Sequence, residues 1–154
     1  MSVFDNLIGS LVYWMTERNA RNKSYADSQR ALEKTGQTVY GRFTASSDTP
    51  GHREKGRHIV GIERWSQSRL RVALGDPFKQ DEYDGYQPSD ELDIEELTQS
   101  FAETRAETVR LAKALEAADV PLSKTINHNQ MGDFTVGAWF SYIIAHAGRE
   151  SRLL

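Results

Sequence analysis

A chain of 154 residues with 38% hydrophobic and 27% charged side chains has the size and composition of one globular domain spanning 1–154, with a core of a few dozen side chains. It contains no cysteine, which removes disulfides, thiolate-bound zinc, iron–sulfur clusters and a protein thiol nucleophile, so any metal must be held by nitrogen and oxygen. The formal charge of −3 gives no summed field that favours nucleic acid, and no apolar run approaches the ~20 residues of a membrane span. Residues 1–6 lack a basic start followed by an apolar core, and the expected location is the cytoplasm.

Phe4, Leu7, Ile8, Leu11, Val12 and Met15 recur at three-and-four spacing, which predicts an amphipathic helix over residues 3–17. Ser24 is a helix cap for residues 24–34, as a continuation or as a short second helix, with Gly36 as its stop. Thr38 to Phe43 alternate briefly like a strand, but a lone strand has nothing to pair with, so a loop is expected there. The run Ser47-Asp48-Thr49-Pro50 starts a long helix reaching Leu74, because an oxygen caps the free N–H groups and proline lacks the donor that would be unpaired.

Gly75-Asp76-Pro77 stops that helix, and the acidic, aromatic, turn-rich stretch 75–88 reads as a surface loop long enough to be a lid. Asp93 and Glu96 form a capping box for a third bundle helix, whose stripe is Ile94, Leu97, Phe101, Thr104, Thr108, Leu111 and Leu115. Residues 121–132 are a polar connection. Thr135 then caps a last helix over 136–154, with Phe134 and Trp139 placed as a hydrophobic staple. The expected architecture is all-α, a four-helix bundle with a long connection between its first and second bundle helices.

The buried stripe of the last helix is Trp139, Ile143, His146, Glu150 and Leu153, which points His146 and Glu150 at the core. Ile62, Trp65 and Val72 define a stripe on the second bundle helix that extends back to His58 and takes in Arg69. A carboxylate on such a stripe is costly unless it is paired or ligates a cation. Donors at i and i+4 with a third from a facing helix make a three-ligand site, and two imidazoles with a carboxylate match zinc or non-haem iron chemistry with positions left for water. The alternative is a hydrogen-bonded polar network, with Glu150 paired to Arg69 across the bundle or to Arg149 or Arg152. His128 reads as a solvent-exposed loop residue near a site entrance, and His52 as surface. Trp65, Trp139 and Tyr142 read as core packing, and the basic stretch Arg53, Lys55, Arg57, Arg64, Arg69 and Arg71 as an ion-paired face rather than a phosphate patch.

The run His58-Ile59-Val60-Gly61-Ile62-Glu63-Arg64-Trp65 resembles the second helix of the DinB/YfiT-like superfamily. Gly132-Asp133-Phe134-Thr135-Val136-Gly137-Ala138-Trp139, followed by Ile144-Ala145-His146, resembles that family's glycine-containing turn and final histidine-bearing helix. The resemblance covers most of the chain after Thr49. It implies a divalent transition metal (zinc, nickel, iron or manganese) on three histidines, of which His58 and His146 supply two, while Glu150 stands where the third is expected. That substitution leaves a charged ligand that makes the metal less acidic towards bound water, or a site that has lost its metal. For function the resemblance implies metal-dependent hydrolases or transferases that use a low-molecular-weight thiol, some linked to DNA damage or stress, acting on a small-molecule substrate. The competing reading is a metal-free helical bundle acting as a binding or scaffold protein. In either case a homodimer is expected, because the stripes of the first and third bundle helices exceed what one core needs.

Overall fold

The computed structural model describes residues 3–154, with side chains from residue 9 onward, so the contributions of Phe4, Leu7 and Ile8 to the first stripe lie outside the described residues. Among these residues the chain forms five α-helices: α1 (Val3–Ala20), α2 (Tyr25–Ala45), α3 (Pro50–Ala73), α4 (Ile94–Ala117) and α5 (Val136–Glu150). A small antiparallel hairpin of β1 (Thr125–Asn127) and β2 (Asp133–Thr135) precedes α5, in the register Thr125 to Thr135, Ile126 to Phe134 and Asn127 to Asp133. It occupies what the sequence presents as an irregular polar connection. Gly132, with φ of +84°, and Asn129, with φ of +63°, make the left-handed turns that close it.

The helix starts follow from capping chemistry. Thr49 Oγ1 accepts the His52 amide with Pro50 as the first helical residue, and Thr135 Oγ1 accepts the Ala138 amide at 3.1 Å. Asp93 and Glu96 exchange both bonds of a capping box, 2.9 and 3.0 Å long, and Ser24 does the same with Asp27. Phe134 and Trp139 meet as the expected staple, ring centroids 5.4 Å apart.

The chain departs from expectation in its first third. Helix α2 does not stop at Gly36 and contains no loop at 38–43; it runs unbroken to Ala45. Its buried stripe is Ser28, Leu32, Gly36, Val39 and Phe43, a helical spacing hidden by two small residues. Gly36 is there because Arg105 lies against it: a Cβ would come 2.9 Å from Arg105 Cγ. The bundle is therefore α2, α4, α3, α5 in order around its axis, and α1 packs outside it against α5 and β2. The long connection after the first amphipathic segment is itself the first bundle helix.

Two apolar clusters fill the interior. One surrounds Trp65, Phe134, Trp139 and Phe140 at the hairpin end, and the other surrounds Phe43, Ile59, Leu97 and Phe101 at the opposite end. Between them Arg105 of α4 donates from Nε and Nη2 to both carboxylate oxygens of Glu63 on α3, at 2.7 and 2.9 Å, with Thr108 adding a third bond to Glu63. Both ionic side chains are buried, and Arg105 also donates to the Leu32 carbonyl of α2. Loop 75–88 is not a free lid. Asp81 accepts from Arg69 and Tyr86 through its carboxylate, and from Trp65, Arg69 and Asn129 through its carbonyl, which straps the loop onto α3.

Candidate metal centre

Helices α3 and α5 cross so that Nε2 of His58 and Nε2 of His146 lie 3.2 Å apart. His146 is buried and His58 half-buried. Burial pushes His146 down to about 3, with the neighbouring His58 adding to the effect, and burial also lowers His58. Both rings are therefore neutral near pH 7, the state in which an imidazole nitrogen can ligate. The Tyr83 ring meets His58 edge-on at 5.1 Å, and Tyr142 lies beside His146 with centroids 5.9 Å apart. Burial raises the Tyr142 phenol to about 12, so its hydroxyl stays protonated.

Glu150 occupies the expected helical position, one turn beyond His146, but its carboxylate is turned to cations. Lys55 Nζ donates to Oε2 at 2.8 Å, and Arg149 Nε donates to Oε1 at 3.0 Å. The Lys55 bond is the main reason that the Glu150 carboxyl is held down at about 2. Among the described residues no group of three His, Asp or Glu side chains is already gathered to hold a metal. Arg69, the cross-bundle partner considered from sequence, is committed to Asp81 instead.

Of the three candidate ligands the fold thus brings two together. Zinc–nitrogen bonds of about 2.0–2.1 Å at tetrahedral angles separate two donors by about 3.3 Å, so the two imidazoles suit a shared divalent cation. The carboxylate reaches such a cation only by leaving Lys55 or Arg149. Sequence reasoning missed Lys55 as the residue that holds Glu150. The signal was available, because Lys55 lies one helical turn before His58 and so shares its face.

His128 is not an exposed loop residue. The hairpin carries it inward, where it stacks on Trp139 at 5.1 Å and meets Trp65, Phe134 and Tyr142, 4% exposed and, among the described residues, with no hydrogen-bond partner for either ring nitrogen. His52, at the start of α3, lies against Ser46 and Ser47 and takes no part in the site. Four of the six cations of the basic stretch of α3 are ion-paired, Arg53 to Asp48, Lys55 to Glu150, Arg69 to Asp81 and Arg71 to Glu107, while Arg57 donates to the Pro88 carbonyl and Arg64 to the hydroxyls of Ser100 and Thr104.

A family model described as the DinB superfamily matches residues 53–150, well over half of the chain. The chain belongs to the DinB superfamily. The match takes in α3, α4, the hairpin and α5, and so includes His58, His146 and Glu150. Comparison with curated proteins and with solved structures gives no match. In this DinB-superfamily chain α1 and α2 lie before the matched segment, although α2 completes the bundle.

Proposed function

We propose that this DinB-superfamily chain is a metal-dependent enzyme of the hydrolase or thiol-dependent S-transferase type, in which His58, His146 and Glu150 hold a divalent transition metal. The observation that carries the reading is the approach of two neutral imidazole nitrogens to 3.2 Å. When bound, a metal of this kind is a Lewis acid that lowers the pKa of a bound water or of a low-molecular-weight thiol, a nucleophile this cysteine-free chain does not supply itself. The chain's own part is to position and to exclude water. Burial keeps His146 unprotonated, Tyr83 and Tyr142 wall the two rings, and the buried Trp65 and Trp139 close the hairpin side. A small molecule is the proposed substrate, and a stress-related role is the setting that the family suggests.

A second reading has its own support. The grip of Lys55 and Arg149 on Glu150 is what a metal-free bundle would show, with the two histidines sharing one N–H between them. Metal analysis of tag-free protein grown with zinc, nickel, iron and manganese separates the two. In the enzyme reading His58→Ala loses most of the metal, because two remaining donors fix neither affinity nor geometry. Glu150→His retains or strengthens binding, and Lys55→Met raises it by freeing a carboxylate oxygen. No detectable metal in the parent under these conditions ends the enzyme reading and leaves the scaffold.

The proposal includes a homodimer through α1. Leu11, Trp14 and Met15 expose about half of their surface or more on that helix, at 56%, 53% and 50%. The third bundle helix contributes nothing to this excess, since its stripe of Ile94, Leu97, Phe101, Leu111 and Leu115 is consumed by the core.

A further inference from the structure

On the far side of α5 from the histidine pair, α2 and α5 border an open groove of about 350 Å³. Its walls are two helical stripes. Lys34, Thr35, Thr38 and Arg42 come from α2; Gly148 and Arg149 come from α5, and Arg152 from the turn that follows it. Four cations line the groove and no carboxylate does, in a chain whose formal charge is −3. Among the described residues Lys34, Arg42 and Arg152 have no carboxylate within 4.0 Å, while Arg149, the fourth, is paired outside the groove with Glu150 at 3.0 Å. Like charges gathered without counter-charge raise the energy of the folded chain, and an anion in the groove relieves that repulsion.

The groove also has fixed geometry. Arg42 Nη1 donates to the Gly148 carbonyl at 2.8 Å and to Ser151 Oγ at 2.9 Å, which anchors the guanidinium at the seam of the two helices. Gly148 leaves the floor without a side chain; a Cβ there would sit 3.7 Å from Thr35 Cγ2, so any larger residue would project into the space. Thr35 and Thr38 donate their hydroxyl protons to α2 carbonyls. Arginine forks pair with the oxygens of phosphate in parallel hydrogen bonds, and lysine adds a mobile point charge. Three cations without a carboxylate partner, with Arg149 shared with Glu150, match the charge of a diphosphate better than that of a single carboxylate. The volume lies near the lower end of small-ligand sites.

We propose that the α2–α5 groove is a binding site for a small phosphorylated anion carrying two or more phosphate charges, with Lys34, Arg42, Arg149 and Arg152 as its ligands. The inference does not depend on a metal at His58 and His146. Calorimetric titration of inorganic pyrophosphate into the full chain at low salt tests it. Saturable one-to-one binding is expected, weakened at least about ten-fold in Lys34→Glu/Arg152→Glu, which removes two charge-assisted contacts and introduces repulsion. Both side chains are exposed and outside the core, so the melting temperature should hold. Lys79→Glu/Lys113→Glu makes the same change in net charge at exposed lysines outside the groove and should bind as the parent does. The site is overturned if pyrophosphate shows no saturable binding, or if the two double variants weaken it equally. Binding of single-stranded DNA without binding of pyrophosphate would also overturn it.

Discussion

His128 shows how a single residue can set the acid limb of stability. Its imidazole is enclosed by Trp65, Phe134, Trp139 and Tyr142, and burial pushes it down to about 4, against 6.5 when solvated. Because the folded value lies below the unfolded one, the unfolded chain binds the extra proton as pH falls from about 6.5 to about 4. Stability attributable to neutral His128 is thus complete above that window and is lost on descending through it, by about 3 kcal/mol in all. His146, held down to about 3, acts in the same direction and extends the loss to lower pH. His128→Phe should flatten the fall in melting temperature between pH 6.5 and 4 while leaving the His146 contribution; an unchanged pH profile would place the acid sensitivity elsewhere. None of this was visible in the sequence, where Asn127, His128, Asn129 and Gln130 form a polar run. A three-residue strand on either side reverses the reading, since pairing Ile126 with Phe134 turns the hairpin's apolar side, and His128 with it, towards the core.

At the scale of elements, helix starts were the most legible feature, because an N-cap is a local chemical event between residues three apart. Thr49, Asp93 and Thr135 all cap as their sequences indicate. Contacts between elements were less legible. Glu63 and Arg105 lie 42 positions apart, with no local pattern that links them, yet they form the bidentate pair at the centre of the bundle. Arg105→Met should destabilise by about 3–5 kcal/mol in urea unfolding, since Glu63 is left buried with its Thr108 bond as its remaining side-chain partner; Glu63→Met/Arg105→Leu should recover most of that loss. The strap over α3 has a comparable dependence on Gly61, where a Cβ would meet Gln87 Cγ at 2.6 Å and the Tyr83 carbonyl at 3.3 Å. Gly61→Ala therefore costs about 1–3 kcal/mol despite alanine's better helix propensity, because the strap must lift. Lifting it also withdraws Tyr83 from His58, so faster proteolysis within residues 75–88 should accompany the loss. A more stable variant would show that the strap yields freely.

For the whole molecule, the all-α bundle followed from periodicity, but the identity of its first helix did not. The α1 stripe is the more hydrophobic in sequence, whereas α2 hides its buried face behind Ser28 and Gly36, so apolar content alone selected the peripheral helix. The displaced helix now has surface to spare. Glu17 accepts hydrogen bonds from the Thr135 amide and hydroxyl, Tyr13 meets Phe134 with centroids 5.7 Å apart, and Gly137 lets Ala20 approach α5, so one side of α1 is fastened to the bundle. The other side presents Leu11, Trp14 and Met15, with Arg18 over the Trp14 ring at 5.1 Å. That cation covers part of the indole and still leaves 53% of the residue exposed. A second copy of the same helix can cover the rest symmetrically, since a two-fold axis sets one patch against its twin. Sedimentation of the parent at micromolar concentration should show a dimer. Trp14→Glu should weaken it by about 2 kcal/mol or more, roughly thirty-fold in Kd, because a central tryptophan carries a disproportionate share of interface energy and the replacement sets two carboxylates near the axis. The helical circular-dichroism signal and the thermal melt of the monomeric variant should stay close to the parent's at low concentration, as Trp14 contributes little to the bundle core. A monomeric parent, or a dimer indifferent to Trp14→Glu, would remove α1 as the interface.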